Sequence, residues 1–288
     1  MERRALPQWY AESRGLHDGM IRATSDSTES FVFGRLFMTP SNSSFRDGNH
    51  LAVRFCHLES PLDRLAPFAD PPRALPAIVQ TTFGSSSAYE TPAAPRCVVD
   101  YTLVGWDAAA AGVVDEFARE GFSCERVEDS VMAAVVGELT PGPAQAAEEG
   151  VAIRAAGPAD AARLVACNAR CFGYDQRGDT AWLAPKLERQ LGRPDRFHVH
   201  AALAGDAVVG FASVYRRCGL AFVQAVGTHP DYRRRGVGSA VLRAALASLP
   251  PDTRVYLDAC EDGPIRMYRK LGFEEVGKIT YVECMHRQ

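Results

Sequence analysis

Along residues 151–288 the spacing of apolar positions changes at regular intervals. Val151–Ala155 alternates apolar and polar residues, the pattern of a short strand covered on one face. Residues 158–171 carry Ala162, Val165, Ala166 and Ala169 at helical spacing, and 179–190 read as a second helix. Phe197–Ala204 and 207–215 are β-rich runs parted by Gly205-Asp206, a hairpin signal, and Leu220–Thr228 is a third strand. After a polar loop comes a helix whose apolar positions Val237, Val241, Ala245 and Leu249 recur every four residues, until Pro250-Pro251 stops it. Arg254–Ala259 is the next strand, 264–271 a short helix and 276–285 a closing β-like stretch.

The first half is less regular. Residues 31–38, 50–57 and 97–104 pattern as strands, and 41–48 and 81–95 as loops. One piece repeats the second half: the short helix 113–120 ends in Gly121-Phe122, as the helix 265–271 ends in Gly272-Phe273, and both lead into β-like stretches. Glycine there is a helix stop that tolerates positive φ. The chain thus reads as a duplicated unit. Between the halves, residues 140–150 hold two prolines near a glycine, then small and acidic residues, too poor in apolar side chains to build a core. The predicted domains are 1–140 and 151–288, joined by a linker at 141–150.

Composition narrows the function. With 288 residues the chain has room for two domains of roughly 150 residues each. A formal net charge of −3 argues against a dedicated nucleic-acid binder, which carries a basic excess. The start of the chain lacks the apolar core of a secretory signal, and no apolar run approaches the ~20 residues that span a bilayer. The 8 cysteines show no metal-ligand or paired spacing. The expectation is a cytoplasmic protein with reduced thiols, a monomer or homodimer, without nucleic-acid, membrane or metal partners.

Chemistry concentrates between Val223 and Leu242, where a strand runs through a proline-marked loop into glycines that open a helix. The first N–H groups of a helix have no intrahelical partner and, with the helix dipole, attract anions. Gly236 and Gly238 clear side chains from the backbone, and Arg233, Arg234 and Arg235 offer charge-assisted hydrogen bonds to phosphate. A dinucleotide fingerprint fails because Val241 stands where its last glycine belongs, and no lysine follows for a P-loop. The same residues could also form a plain tight turn beside a solvated arginine loop. What remains is R-x-x-G-x-G, which resembles the coenzyme A pyrophosphate loop of the GNAT family of N-acetyltransferases. Met267-Tyr268-Arg269-Lys270-Leu271-Gly272-Phe273 is similar to that family's second hallmark, so the resemblance covers residues 151–288.

The resemblance implies an α/β mixed sheet of the acyl-CoA N-acyltransferase fold, with two GNAT-like domains in tandem. It implies transfer of an acetyl group from acetyl-CoA, as cosubstrate and without a metal, to a primary amine by direct attack. The acceptor is expected to be a small molecule, with a protein N-terminus or lysine as the alternative, and a non-catalytic acyl-CoA-binding module as the third reading. By resemblance, the backbone at Val226, Gly227 and Thr228 would hold the pantetheine arm, and Arg233, Arg234, Arg235, Gly236, Val237, Gly238 and Ser239 the pyrophosphate. Tyr268 would be the general acid, since a phenol with a pKa near ~10 stays protonated at neutral pH; the other reading of Tyr268 is a packing aromatic.

Family members often carry Asn where this chain has Asp262, which would contact pantetheine or, before Gly263-Pro264, cap the helix. No base is evident. Gln224 could orient a water, and His229 and Glu261 are weaker candidates. Residues 172–178 would line the acceptor pocket, with Asp175 suited to a cationic amine. His198 and His200 read as ordinary strand histidines, and Cys167 and Cys171 as core. The first half lacks R-x-x-G-x-G and has Phe117 in place of the tyrosine, so it reads as a non-catalytic copy.

Overall fold

The computed structural model describes residues 7–31, 34–38, 41, 50–54, 96–100, 108–140, 150–177 and 180–286. The predicted loops at 42–48 and 81–95, the linker at 141–149 and the strand extensions at 55–57 and 101–104 lie outside them. The chain divides into two compact units, neither contiguous: Met1–Gln8 and Ile21–Asp129 with Lys278–Gln288, and Trp9–Met20 with Ser130–Gly277. A single cut at 141–150 does not reproduce this division, for reasons that lie in the strand pairing. Among the described residues no helix is long and apolar enough to cross a membrane.

The second unit is built on six strands. They are the end of β5 (Phe122–Val135), β6 (Val151–Ala155), β7 (Phe197–Ala204), β8 (Ala207–Arg217), β9 (Leu220–Thr228) and β10 (Arg254–Ala259). Their order is β5-β10-β9-β8-β7-β6. All neighbours run antiparallel except β9 and β10, which are parallel. Gly205 makes the β7–β8 turn at φ 58°, in the left-handed region that favours glycine. One face carries α6 (Val237–Ala247) and α7 (Asp262–Leu271), whose Val241, Leu242, Ala245 and Leu271 close a core with Ala221 and Val223 of β9 and Val255 and Leu257 of β10. Each such Val or Leu contributes roughly 1.5–3 kcal/mol when fully buried.

Two predicted helices begin later than their patterns suggest. The 158–171 segment opens as a turn at Pro158–Asp160 and becomes α3 at Ala161–Phe172. Asp160, 2% exposed, is the reason: it accepts from the Gly157 N–H, from Arg154 at 2.7 and 2.8 Å and from Arg163 at 2.6 Å. These partners hold its carboxyl below the usual carboxylate range, chiefly through Arg154. A four-residue helix, α4 (Tyr174–Arg177), follows, and α5 is Leu183–Leu191 rather than 179–190.

The apolar pattern did not reveal helix α1 (Gln8–Thr24). Its residues Trp9–Met20 belong to the second unit, and they bury polar side chains beside Tyr10, Leu16 and Met20, which blurs the hydrophobic period. Ser13 and Asp18 are buried. Arg14 spans the Asp258 carboxylate at 2.7 and 2.6 Å. Glu12 accepts from the Tyr256 hydroxyl at 2.6 Å and from Arg254 at 3.2 Å. A Cβ on Gly277 would lie 2.4 Å from the Trp9 ring, so only glycine lets that ring lie against the chain.

The first unit repeats this plan. β1 (Ser27–Phe31), β2 (Gly34–Met38) and β3 (His50–Arg54) form an antiparallel set, so the predicted 31–38 strand is two. β4 (Arg96–Asp100) lies parallel to β3, and the end of β11 (Glu274–His286) antiparallel to β4. The same succession runs through β7, β8, β9, β10 and β5. Helix α2 (Ala108–Arg119) leaves through Gly121 at φ 84°, and α7 through Gly272 at φ 100°. Phe117 meets Phe122 edge-on at 4.9 Å, and Tyr268 meets Phe273 edge-on at 5.9 Å. Sequence, connection and ring packing thus describe one unit twice.

The copies exchange their last strands. The strand leaving α2 ends by pairing Ser130–Val135 with β10 of the second unit, and the strand leaving α7 ends by pairing Tyr281–Met285 with β4 of the first. A fragment of residues 144–288 therefore lacks both α1 and the β5 edge. It should be insoluble or unfolded, and a soluble fragment with full acetyl transfer in a thermal melt and turnover assay would refute this. Arg14→Ala leaves the carboxylate of Asp258, 17% exposed, without the guanidinium nitrogen that contacts both its oxygens; a loss of about 3 kcal/mol is expected, read as a lower urea midpoint.

Candidate functional site

The site begins where a sheet pairing stops. β9 and β10 pair only at Leu220–Arg254, Ala221–Val255 and Phe222–Tyr256. From Val223 to Thr228, β9 has no ladder to β10 among the described residues, while it stays paired to β8. Backbone polar groups on that side are available to an extended ligand, since buried N–H and C=O groups need partners. The β8 register slips here as well: Ser213 faces Ala225 and Val214 faces Val223, so Gln224 is the extra residue of a β-bulge.

The bulge re-aims Gln224. Its Oε1 accepts from Gln190 Nε2 at 2.6 Å and from Ser213 Oγ at 3.2 Å. Gln190 and Ser213 are 1% and 2% exposed, so the half-buried Gln224 rests on two buried polar side chains beside the open strand. With the oxygen occupied by two donors, the amide N–H₂ of Gln224 is the part left to hold a water or an acceptor. Gln190 and Ser213 were invisible in the sequence; only the tertiary pairing of α5, β8 and β9 brings them here.

Past Thr228 the chain turns through Pro230–Tyr232 and a strained loop into α6. Arg234 stands at φ 63°, uncommon for a residue with a Cβ, and Gly236 at φ 77°. Such conformations persist where the surroundings fix them, as they do at binding sites. Arg233 provides part of that fixing: its Nη2 donates to the Cys171 carbonyl at 2.8 Å and its Nε to the Thr228 carbonyl at 3.3 Å. It thus ties the loop to α3 and β9, a positioning task the sequence did not show. Arg235 lies over the Tyr232 ring at 5.4 Å, and Arg234 is exposed.

Helix α6 makes its first backbone bond from Ala240 to Gly236, leaving the N–H groups of Val237, Gly238 and Ser239 before it without intrahelical acceptors. A Cβ on Gly238 would sit 2.9 Å from Thr228 Oγ1, so the helix start and the strand end are pressed together over a glycine. Gly227 is equally constrained, since its Cβ would lie 2.4 Å from the Phe211 ring. An extended open strand, a helix start and exposed arginines in series fit a ligand with an amide-bearing arm and a phosphate end, as coenzyme A has.

Tyr268 is 8% exposed on α7, and burial alone pushes its hydroxyl up to about 12. The neighbouring Met267 Sδ is 3.7 Å from where a Cβ on Gly238 would be, which places α7 against the start of α6. Asp262 is the first residue of α7 rather than its cap: Glu261 occupies the cap position with extended φ and ψ, and neither caps through its side chain. The Asp262 side chain is 91% exposed and lies 3.9 Å from Arg266. Pro264 fits the first helical turn with either start, because its missing N–H needs no intrahelical acceptor there.

The other candidates have local tasks. His229 Nδ1 accepts from the Asp231 N–H at 3.3 Å, which occupies the atom a base would use. Asp175 pairs with Arg170 at 2.9 Å, so the carboxylate expected to meet a cationic amine already has a cation. Phe172, 42% exposed, Tyr174 and Trp182 form an aromatic series with centroid separations of 5.9 Å from Phe172 to Tyr174 and 5.2 Å from Tyr174 to Trp182. His198 shares a hydrogen bond with Ser248 at 2.8 Å, and among the described residues no group of three ligating side chains is placed to hold a metal.

Residues 163–273 match the Acetyltransferase (GNAT) family. The N-alpha-acetyltransferase RimI of Mycobacterium tuberculosis is 32% identical over 135 residues, which are 45% of this chain and 82% of that protein. The mycothiol acetyltransferase of Thermobispora bispora is 30% identical over 148 residues, 46% of this chain and 50% of that protein. Among solved structures, a tandem GNAT protein from the clavulanic acid biosynthesis pathway superposes with a TM-score of 0.56 at 16% identity, covering 92% of this chain and 85% of that one, a likeness of fold. The loop, the open strand and the relatives agree: the chain belongs to the GNAT family and is an acetyl-CoA-dependent N-acetyltransferase.

Proposed function

We propose that the second unit transfers the acetyl group to the primary amine of a small molecule, with residues 223–239 as the acetyl-CoA site. The observation that carries the site is the parting of β9 from β10 beside a strained loop and an uncapped helix start. The small-molecule reading rests on proportion. The stretch matched to RimI is most of that protein, whereas the stretch matched to mycothiol acetyltransferase is about half of it, as it is of this chain. This chain is thus built on the scale of the relative named for a small acceptor. The identity to RimI favours a protein N-terminus as the second reading.

Acetyl-CoA supplies an activated acyl group as a thioester. In the proposed reaction the β9 backbone at Val226, Gly227 and Thr228 binds the arm and donates to the acyl oxygen, where negative charge develops. The N–H groups of Val237, Gly238 and Ser239, with Arg234 and Arg235, hold the pyrophosphate. Arg233 acts from behind by fixing the loop. Gln224 holds a water through its amide N–H₂, and that water passes the proton of the incoming ammonium to solvent. Tyr268 donates its proton to the departing sulfur; burial keeps that proton in place at neutral pH. Asp262, exposed at the start of α7, meets the arm only at its edge. The first unit, with Phe117 where Tyr268 stands, takes no part in the proton transfers.

Incubation with acetyl-CoA and a panel of amines, amino acids and N-terminal peptides, with release of free thiol as the readout, tests the function. Turnover confined to peptides would replace the small-molecule reading with the second one, and none with any acceptor would leave a binding module. Gly238→Asp places a side chain against Thr228 and a negative charge at the helix start, and should abolish acetyl-CoA binding in calorimetry; parental affinity would move the site elsewhere. Tyr268→Phe should lower kcat about 10²-fold with little change in acetyl-CoA affinity. A general acid must stay protonated, so activity that depends on Tyr268 is lost only as pH rises through about 12 rather than through the ordinary tyrosine value. The kcat/KM profile should show no decline between about pH 8.5 and 10.5. An unchanged kcat in Tyr268→Phe makes the ring a packing residue.

A further inference from the structure

The first unit contains a chemical feature the transfer reaction does not use. Cys124 of β5 and Cys284 of β11 lie with their sulfurs 2.9 Å apart. A second thiol pair, Cys167 and Cys171 on α3, stands at 3.7 Å, an ordinary packing contact. A disulfide bond is about 2.05 Å long, so the strand pair needs a shift of less than an ångström to close. The two thiols also differ in access. Cys284 is fully buried, whereas Cys124 is half-buried and can be reached first. Cys97 stands opposite Cys284 in the β4–β11 ladder but is itself fully buried.

We propose that Cys124 and Cys284 form a reversible oxidation site, closed to a disulfide by a hydroperoxide. The Cys124 thiolate attacks the peroxide oxygen, the O–O bond breaks and hydroxide leaves, giving a sulfenic acid. The Cys284 sulfur then attacks the Cys124 sulfur. The S–S bond forms, the S–O bond breaks, and water departs with the Cys284 proton. Two thiols and one hydrogen peroxide become one disulfide and two waters. The contact with Cys284 favours this order: it holds the Cys124 thiol below its ordinary range, against the opposing effects of burial and Asp115. The same contact, together with burial, pushes Cys284 up, so it enters as the resolving thiol.

The test uses the full chain, reduced, freed of reductant and treated with hydrogen peroxide. Free thiols titrated in denaturant should fall by two from the eight the chain contains and return with dithiothreitol. Peptide mapping without reduction should recover the Cys124–Cys284 link. Cys97→Ser should retain the two-thiol loss, and Cys124→Ser and Cys284→Ser should each abolish it. An unchanged thiol count overturns the proposal, as does a link that joins Cys97 to Cys284 or Cys167 to Cys171. If a serine variant fails to fold, mapping of the parent protein decides alone.

Discussion

The parallel pairing of β9 with β10 ends after three residue pairs, and the site follows from that early end. A parallel ladder that continued would satisfy the β9 backbone with β10 and leave nothing for a ligand. Because it stops at Phe222 and Tyr256, six residues of β9 keep one edge open while β8 secures the other. The rest of the unit sustains this arrangement. Gly227 lets Phe211 pack tightly beneath the strand end, Gly238 lets α6 press on Thr228, and Arg233 ties the loop back to α3. An open strand edge is a hazard on a protein surface; in the proposed function the arm of acetyl-CoA covers it.

The parts that were legible in the sequence share a local cause. Leu220–Thr228 and Arg254–Ala259 show a β period whose ends are marked by turns or prolines, and both appear with the predicted bounds. The glycine loop could be read because glycine and proline fix backbone geometry by themselves. The repeat was betrayed by Gly121 and Gly272, since a helix leaving through positive φ needs the same residue in both copies.

What stayed hidden depends on partners distant along the chain. The bulge at Gln224 is a one-residue slip between two strands, and no period records it. The partner carbonyl of Arg233 lies 62 residues away, so the arginine looked like a phosphate ligand alone. Helix α1 buries Ser13, Arg14 and Asp18, which reads as a polar segment until Asp258 and Glu12's partners are in view. Asp262 looked like a cap because the sequence could not tell whether Pro264 is the second or third helical residue.

The exchanged strands bear on how such a chain is made. Ribosomes release the amino end first. The second unit receives its edge from β5, already synthesised when the rest of its sheet emerges. The first unit must wait: Asp100 finds its partner Tyr281 only after the sheet of the second unit has been synthesised. Closing so long a loop adds entropy only slowly with length, but it delays folding, as non-local contacts do generally. Until then β4 carries an unsatisfied edge while the residues between it and β11 are made. The unit that bears no catalytic signature is thus the one whose sheet closes after the other unit has been made.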